Sequence, residues 1–266
     1  MNLKEKVILI TGASQGIGEA AARSAAARGA RTVCIARDEI QLKRVRDEIL
    51  KETGKEVFIF PADITVKESR EHMMEKIQNE FGRLDVLVNN VGITSHGRFD
   101  ATDFSVMRSV MEINFFAMAE VTAAALPLLK NTPGKKIILF VSTPSGLHGI
   151  PGRFAYSASK AAGNMLMETL RIELKKDNIH TCIICPGYTK TGLRTGGLSS
   201  DGTRLDKEQA GGAKSPAMVA EKLMQCIEKE KRIAFTDFNG RAVYWLRTLA
   251  PSLLEYFITK KLKNDF

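Results

Sequence analysis

The chain has few of the residues that build disulfide frameworks and metal sites: four cysteines and four histidines among 266 residues. The histidines show no spacing typical of metal ligands, so we expect no metal site. Cys182 and Cys185 have the CxxC spacing of redox and zinc sites, but they lie in an apolar run that predicts a buried strand. We therefore expect ordinary buried thiols.

Long apolar runs are also absent from the sequence. The longest, such as residues 7–10 and 136–141, have the length of a strand and are far too short to span a bilayer. The N-terminal residues lead directly into the first strand and leave no room for the apolar region of a signal peptide. We therefore expect a cytoplasmic protein. Its 44% hydrophobic and 26% charged residues are typical of a globular chain with a sizeable core.

The formal net charge is +9, and an excess of this size suits nucleic acid, an anionic membrane surface or a phosphorylated cofactor. Lysine and arginine are spread along the whole chain. They form neither a basic helix nor the basic stripe interleaved with aromatic residues that nucleic-acid-binding proteins use. The sequence therefore predicts no nucleic-acid partner and leaves the other two open.

Short apolar runs alternate with amphipathic segments along the chain. The runs are continuously apolar, as in strands covered on both faces, and predict strands at 7–11, 31–36, 57–60, 84–89, 136–142, 180–185 and 232–235. The amphipathic segments predict helices at 16–28, 39–52, 66–81, 103–130, 155–176 and 216–230. This alternation predicts an α/β fold: one doubly wound Rossmann-like domain, with a parallel seven-stranded sheet and helices on both faces.

We expect the Rossmann-type domain to occupy residues 1–240. Within it, residues 187–214 are rich in glycine, serine and threonine and lack periodicity, which predicts a lid or binding loop. Residues 241–266 form a C-terminal extension in which aromatic and aliphatic residues precede a lysine cluster. This extension is expected to pack on the same domain, on a partner subunit or on a membrane surface as a peripheral contact.

A glycine-rich turn, TGASQGIG from Thr11 to Gly18, follows the first predicted strand and opens the first predicted helix. Glycines there let the backbone approach a pyrophosphate, and the helix N-terminus supplies free N–H groups. Glycines also occur at ordinary strand-to-helix turns, but the first such turn of a parallel α/β pattern is where these sheets bind nucleotides. We predict a dinucleotide bound by Gly12, Ser14, Gln15, Gly16, Ile17 and Gly18.

The end of the second predicted strand distinguishes the two nicotinamide cofactors. An acid there would accept hydrogen bonds from ribose hydroxyls, whereas a base would pair with a 2′-phosphate. Arg37 occupies this position, and its guanidinium suits a phosphate dianion, although Asp38 beside it could itself reach a ribose. We therefore expect NADPH or NADP+ rather than NADH. The later strand ends are expected at the adenine (Asp63, Ile64) and at the nicotinamide ribose (Asn90, Val91, Gly92).

Tyr156 and Lys160 are four residues apart at the start of the fifth predicted helix, so their side chains fall on one face, one turn apart. A tyrosine with a pKa of about 10 is a poor proton donor or acceptor near neutrality, but a neighbouring cation favours the phenolate and lowers that pKa. Tyr156 is therefore a candidate general acid or base for a carbonyl or alcohol. Such a pair by itself more often lies on a solvent-exposed helix face without a catalytic role. Its position after the fifth predicted strand, at the carboxyl end of the sheet, favours catalysis.

Together these motifs resemble the short-chain dehydrogenase/reductase family, in order and separation, from about residue 5 to about residue 235. The resemblance rests on the glycine turn, residues 89–92, Asn114, the Tyr156/Lys160 pair and Pro186-Gly187. It implies that Tyr156 donates or accepts the proton, that Lys160 also holds the nicotinamide ribose, and that Asn114 anchors a water in a proton relay. It further implies that Pro186-Gly187-Tyr188 and Thr191 lie over the nicotinamide and its carboxamide. We also expect Thr189 of this segment to bind the cofactor.

Thr143 stands where that family usually has a serine whose hydroxyl binds the reacting oxygen. Threonine keeps the hydroxyl and adds a methyl group, so we expect the role to be retained in a narrower pocket. The resemblance also implies a homodimer or homotetramer that pairs through the two longest predicted helices, 103–130 and 155–176.

We hypothesise an NADPH-dependent oxidoreductase that interconverts a carbonyl and a secondary alcohol. The expected pocket walls favour a lipophilic substrate, such as a steroid-like or fatty-acyl ketone: Phe99, Leu147, Ile150, Phe154, Leu193 and Leu198, beside His148, Arg153 and Arg194. An acyl chain on an acidic carrier protein is a second substrate hypothesis. The alternative function is a catalytically silent NADPH-binding sensor or scaffold, which would have no chemical need of the Tyr156/Lys160/Asn114 set.

Overall fold

The computed structural model describes residues 1–193, 196–205 and 213–261. Its centre is a seven-stranded sheet in the order β3-β2-β1-β4-β5-β6-β7, in which every neighbouring pair is parallel. The strands are β1 (Val7–Thr11), β2 (Arg31–Ala36), β3 (Phe58–Pro61), β4 (Val86–Asn89), β5 (Lys136–Val141), β6 (Ile179–Cys185) and β7 (Ile233–Phe235). The predicted doubly wound α/β fold is confirmed, with strands close to their expected bounds.

Helices cover both faces of the sheet. One layer contains α1 (Gly16–Ala27), α2 (Glu39–Thr53) and α7 (Pro216–Glu228); the other contains α3 (Lys67–Phe81), α5 (Ala117–Asn131) and α6 (Phe154–Glu173). Ile8 and Ile10 of β1 pack into the first layer, whereas Val7 and Leu9 pack into the second. Because both faces of the strand are buried, its sequence is continuously apolar.

The predicted helix over residues 103–130 is not one regular helix. It consists of α4 (Phe104–Met111), a π-helical turn (Glu112–Phe116) and then α5. Amphipathic periodicity does not reveal such a turn, which locally widens the helical repeat. The stretch Phe104–Asn131 is long and apolar enough to cross a bilayer, but 44% of its most apolar window is buried inside the protein, and α5 contributes to the core.

The loop over residues 187–214 is closed at its base. The Lys190 N–H donates to the carbonyl of Lys214, and the Lys214 N–H donates to the carbonyl of Tyr188, at 2.9 and 2.8 Å. In its middle, Leu198 donates to the carbonyl of Thr94 and accepts from the N–H of His96, at 2.9 and 2.8 Å. The lid prediction for residues 194–195 and 206–212 falls outside the described residues.

Two helices form the described part of the C-terminal extension, α8 (Phe238–Leu249) and α9 (Pro251–Lys261). α8 packs on the main domain, because the Tyr244 ring lies 5.5 Å from that of Phe235 and Arg247 Nη1 donates to the carbonyl of Leu147 at 2.8 Å. Residues 262–266 lie outside the described residues. These contacts join α8 to the main domain, and the arrangements expected for residues 241–266 as a whole stay predictions.

The four cysteines are all buried, which agrees with the buried strand expected to contain Cys182 and Cys185. Burial raises the pKa of the Cys34 and Cys185 thiols to about 12. These two thiols therefore stay protonated at neutral pH, and the thiolate is the reactive form.

Candidate active site

A cleft of about 1450 Å³ opens at the carboxyl ends of the strands. The chain runs outward from β1 through β2 and β3, then returns to the other side of β1 to form β4. Open α/β sheets bind ligands at this reversal, because the connections from the two neighbouring strands diverge and leave a crevice. The segments that follow β1 to β6 all contribute residues to the cleft.

The glycine turn after β1 lines one end of this cleft through Gly12, Ser14, Gln15, Gly16 and Ile17. Gly12 and Gly16 have φ angles of +67° and +60°, a conformation that glycine adopts readily. Gly18 was expected to contact the cofactor, but it is buried and is absent from the described lining. A Cβ on Gly18 would lie 2.1 Å from the carbonyl oxygen of Gly12, so Gly18 instead lets α1 pack closely against the turn.

Arg37 and Asp38 lie on the cleft after β2. The Arg37 side chain is 74% exposed, and its Nη1 is 3.8 Å from Asp63 Oδ2. Burial opposes ionisation of Asp63, but hydrogen bonds from Thr65 and the charge of Arg37 outweigh it and lower the pKa of that carboxyl. The Asp38 side chain caps α2 by accepting from the N–H of Gln41 at 3.0 Å. Asp38 is therefore already engaged, whereas the Arg37 guanidinium projects to the rim.

Three predicted residues after β4 line the cleft: Asn90, Val91 and Gly92. Asn90 Nδ2 donates to the carbonyls of Thr11 and Gly12 at 3.0 and 3.2 Å, which fixes the glycine turn against β4. A Cβ on Gly92 would lie 3.1 Å from both Lys160 Nζ and Asn114 Oδ1. Glycine at this position therefore makes room for the lysine.

Tyr156 and Lys160 lie on the first turns of α6, and both line the cleft while being largely buried. Lys160 Nζ donates to the carbonyl of Val141 at 3.0 Å and lies 4.8 Å from the centre of the Phe140 ring. Burial lowers the pKa of Lys160 to about 8. The ammonium still predominates at neutral pH, beside the tyrosine one turn away.

Asn114 was expected to anchor a water in a proton relay. It lies in the π-helical turn behind the cleft wall, is fully buried and is not among the described residues that line the cleft. Its Nδ2 donates to the carbonyl of Ile93 and to Ser159 Oγ, both at 2.9 Å, and its Oδ1 accepts from the N–H of Ile93 at 2.8 Å. Ser159 Oγ in turn donates to the carbonyl of Tyr156 at 2.9 Å. The Asn114 side chain therefore braces α6, through a serine that the sequence analysis missed.

Thr143, after β5, and Pro186, Gly187, Thr189 and Thr191, after β6, also line the cleft. The Thr143 hydroxyl accepts from the N–H of Ser145 at 3.4 Å. A lining residue that the sequence analysis missed is Asp237, which caps α8 by accepting from the N–H of Gly240 at 2.8 Å. A Cβ on Gly187 would lie 1.6 Å from Asp237 Oδ2, so this carboxylate requires glycine opposite it.

The predicted substrate walls are right only in part. Arg153 and Leu193 line the cleft, and Arg153 Nη1 donates to Thr94 Oγ1 at 3.1 Å. Phe99 and Phe154 pack on each other with ring centres 5.1 Å apart, and within the described residues neither lines the cleft. The same holds for Leu147, His148, Ile150 and Leu198, while Arg194 lies outside the described residues. The cleft gains Ile113, Pro144, Asn239 and Val243 as further walls.

The sequence profile of the short chain dehydrogenase family matches residues 6–199. The chain belongs to this family. The resemblance inferred from the motifs is thus confirmed, and the chain is an NAD(P)-dependent oxidoreductase of the short-chain dehydrogenase/reductase type.

Among relatives, the chain is similar to a dehydrogenase/reductase SDR family protein 7-like from Anopheles gambiae. The two are 36% identical over 272 aligned positions, which cover 99% of this chain and 85% of the relative. It is also 34% identical to an 11-beta-hydroxysteroid dehydrogenase-like 4A from Arabidopsis thaliana, over 97% of this chain and 84% of the relative.

Two solved structures share the fold. An alcohol dehydrogenase from the archaeon Thermococcus sibiricus, complexed with 5-hydroxy-NADP, has a TM-score of 0.75 and 30% identity over 86% of this chain and 94% of that one. A short chain dehydrogenase from Shigella flexneri, complexed with NADP, has a TM-score of 0.78 and 29% identity over 88% and 97%. Nicotinamide dinucleotides are thus the cofactors of structural neighbours of this chain.

Proposed function

We propose that this protein interconverts a carbonyl and a secondary alcohol with NADPH or NADP+, with Tyr156 as the general acid or base. The observation that carries the proposal is the placement of Tyr156 and Lys160 on one helix turn, in the same cleft as the glycine turn. A protein that only senses or stores the dinucleotide would need the glycine turn but not this pair.

The residues present fit a dinucleotide. Gly12 and Gly16 give the turn a close approach to phosphate, and α1 begins there with its positive dipole end toward the cleft. At the opposite end, Lys160 would hold the nicotinamide ribose, and the segment after β6 would cover the ring: Pro186, Gly187, Thr189 and Thr191. When bound, the nicotinamide supplies or accepts the hydride.

The side chains of the cleft handle the proton. The Tyr156 hydroxyl donates a proton to the carbonyl oxygen during reduction and receives one from the alcohol during oxidation. The neighbouring Lys160 ammonium stabilises the phenolate that remains after donation. The Thr143 hydroxyl, in the same cleft, donates a hydrogen bond to the same reacting oxygen. Asn114 acts through Ser159 by fixing the helix that carries Tyr156, as well as being the candidate for anchoring a relay water.

The rim after β2 supports NADPH over NADH. The exposed Arg37 guanidinium offers two N–H groups to a 2′-phosphate, which a bidentate geometry suits. The Asp38 carboxylate, which could instead bind the ribose hydroxyls of NADH, caps α2 by accepting a hydrogen bond from the N–H of Gln41. The two solved structures with 30% and 29% identity contain NADP-type ligands, which agrees with this preference.

The proposed substrate is a lipophilic carbonyl compound, steroid-like or fatty-acyl, handled in the cytoplasm. Ile93, Ile113, Leu193 and Val243 provide apolar side chains to the lining of the cleft. The similarity to a relative named for hydroxysteroid dehydrogenase activity agrees with this class. The protein is further proposed to be a homodimer or homotetramer, since α6 leaves the Met165 and Ile172 side chains exposed to solvent.

The test is a panel of ketones and secondary alcohols of increasing apolar size, followed by NADPH absorbance. Tyr156→Phe is expected to lower kcat by about a hundredfold or more while leaving NADPH binding intact, because only the proton donor is lost. Tyr244→Phe is the matched control and should keep wild-type turnover. Tyr244 packs on Phe235 on the inward side of α8. NADPH binding without turnover of any compound would favour the sensor or scaffold, and full turnover by Tyr156→Phe would disprove the mechanism.

A further inference from the structure

The helix pair α8–α9 exposes an unusual number of large apolar side chains. Six of them lie within residues 238–257: Phe238, Trp245, Leu249, Leu253, Tyr256 and Phe257. Such a concentration at the surface marks an interaction site rather than ordinary scatter of single apolar residues.

These side chains fall on the outward faces of the two helices. On α8, Phe238, Trp245 and Leu249 follow one another at seven and four residues, the spacing of a single helical face. The opposite side of α8 packs inward through Tyr244 and the buried Gly240. On α9, Leu253, Tyr256 and Phe257 share the exposed side, whereas Leu254 is buried. We call this set of six side chains the outer face.

The helix pair carries more cations than carboxylates. Residues 238–261 contain four arginine and lysine residues but only one carboxylate, Glu255. Arg247 donates to the carbonyl of Leu147 on the main domain, whereas Arg241 and Lys260 are exposed beside the outer face. Lys260 Nζ lies 5.9 Å from the centre of the Tyr256 ring, so the basic and aromatic groups are interleaved. A second copy of this chain on the same face would bring these like charges together, which disfavours a self-complementary dimer there.

We propose that the outer face docks on an anionic membrane surface. Its aromatic and aliphatic side chains enter the boundary between headgroups and acyl chains, where tryptophan and tyrosine are favoured. The exposed Arg241 and Lys260 side chains pair with lipid phosphates and carboxylates, each adding to the attraction. The protein is then a peripheral membrane protein that binds from the aqueous side through its C-terminal helix pair.

The same helix links this surface to the cleft. Asn239, Gly240 and Val243 of α8 line the cleft, while Phe238, Trp245 and Leu249 point outward. Docking therefore places one wall of the cleft at the lipid boundary, where a lipophilic carbonyl compound would be concentrated. This last step rests on the proposed function, whereas docking itself does not.

Trp245 is the only tryptophan of the chain and is 56% exposed, so the fluorescence of the native protein reports on the outer face. Added vesicles of phosphatidylcholine with phosphatidylserine are expected to shift its emission to the blue, and brominated lipid is expected to quench it. Pure phosphatidylcholine should have a smaller effect, and added salt should weaken the response, because the cations contribute through screened attraction. Unchanged emission with the anionic vesicles would overturn the proposal.

A pair of double variants supplies the second measurement, by co-sedimentation with the same vesicles. Trp245→Gln/Phe257→Gln is expected to lower the partition coefficient by about tenfold or more, since two large apolar side chains leave the interface. Leu50→Gln/Met218→Gln removes two comparably exposed apolar side chains from α2 and α7 and should bind as the wild type does. Equal binding by both double variants would overturn the docking surface.

Two further readouts separate the competing explanations. If Trp245→Gln/Phe257→Gln instead changed the oligomeric state in size-exclusion chromatography, a second copy would cover the outer face and the membrane proposal would be wrong. Turnover of a water-soluble ketone by this variant should equal that of the wild type, because neither residue lines the described cleft. Docking without any turnover would leave the surface established and contradict only the proposed reaction.

Discussion

The side-chain amide of Asn114 donates a 2.9 Å hydrogen bond to the hydroxyl of Ser159, which donates to the backbone carbonyl of Tyr156. These two hydrogen bonds join the π-helical turn to the first turns of α6, at Tyr156, the proposed general acid. Because both side chains are fully buried, water does not replace this bond if it is lost.

Ser159→Ala tests this brace. We expect kcat to fall by about tenfold to a hundredfold, because a small displacement of Tyr156 is enough to misalign proton transfer, while the KM for NADPH changes little. The free energy of unfolding should fall by about 1–3 kcal/mol, since a buried Asn114 N–H loses its acceptor. Thr169→Ala, on the exposed side of α6, is the control, because it removes a hydroxyl that donates to the carbonyl of Met165 within the same helix. Equal kcat values for both variants would contradict the brace.

The burial of Lys160 predicts a dependence of stability on pH. Its pKa is lowered from 10.5 to about 8, so the folded protein gives up this proton at a lower pH than the unfolded chain does. The cost of burying the charge is therefore present below pH 8 and disappears as the pH rises to 10.5. Relative to Lys160→Met, the free energy of unfolding of the wild type without cofactor should rise by roughly 3 kcal/mol across this window. Urea unfolding of both proteins at several pH values measures it, and a constant difference would refute it.

The rate of the reaction should depend on a hydroxyl group at position 143, whether threonine or serine supplies it. Thr143→Ser is expected to keep near wild-type kcat, whereas Thr143→Val should lower kcat by about a hundredfold, because it removes one donor to the reacting oxygen while preserving shape. Steady-state kinetics with the best ketone of the panel measures both. Wild-type kcat in Thr143→Val would mean that the hydroxyl comes from Ser142 or Ser145.

Arg37→Ala should separate the two cofactors. Loss of the guanidinium removes charge-assisted hydrogen bonds to the 2′-phosphate, so the KM for NADPH should rise by about tenfold to a hundredfold while that for NADH stays constant. Arg46→Ala is the matched control, since Arg46 pairs with Asp47 on the exposed part of α2. A parallel rise for both cofactors would indicate a general disturbance of the turn rather than phosphate recognition.

Gly187 and Asp237 should show strong energetic coupling. In Gly187→Ala the new methyl group displaces the Asp237 carboxylate and removes the cap of α8, so we expect a loss of about 1–3 kcal/mol in the free energy of unfolding. In an Asp237→Ala background the same substitution should cost much less, because the obstructing carboxylate is gone. Chemical unfolding of the four proteins of this double-mutant cycle measures the coupling. Additive effects would show that the two residues do not interact.

Much of the fold was predictable because buried parallel strands carry a local signal. The apolar runs of β1 and β5 and the glycine turn after β1 are visible in the sequence without knowledge of neighbouring segments. The family resemblance rests on the order and separation of the glycine turn and the four motifs that follow it along the chain. The spacing of Tyr156 and Lys160 likewise predicted a shared helical face, since an i to i+4 relation is fixed within one helix.

What was missed depends on contacts between distant segments. Gly18 and Asn114 belong to the right motifs but lie behind the cleft surface, which spacing does not reveal. Ser159 can support Tyr156 because the π-helical turn brings Asn114 within hydrogen-bonding distance of it. The periodicity of apolar residues does not reveal that turn.

Asp237 follows β7 and lies opposite Gly187 because β7 pairs in parallel with β6, with Phe235 beside Cys185. The apolar run that predicts β7 does not by itself indicate which strand lies next to it.

The burial of all four cysteines leaves the exterior of the described protein without a native thiol. A single cysteine introduced at an exposed position such as Thr259 on α9 would therefore be a unique attachment point for a spin label or a fluorophore. The immersion depth of the helix pair and its distance from a labelled partner molecule thus become measurable without first removing any natural residue.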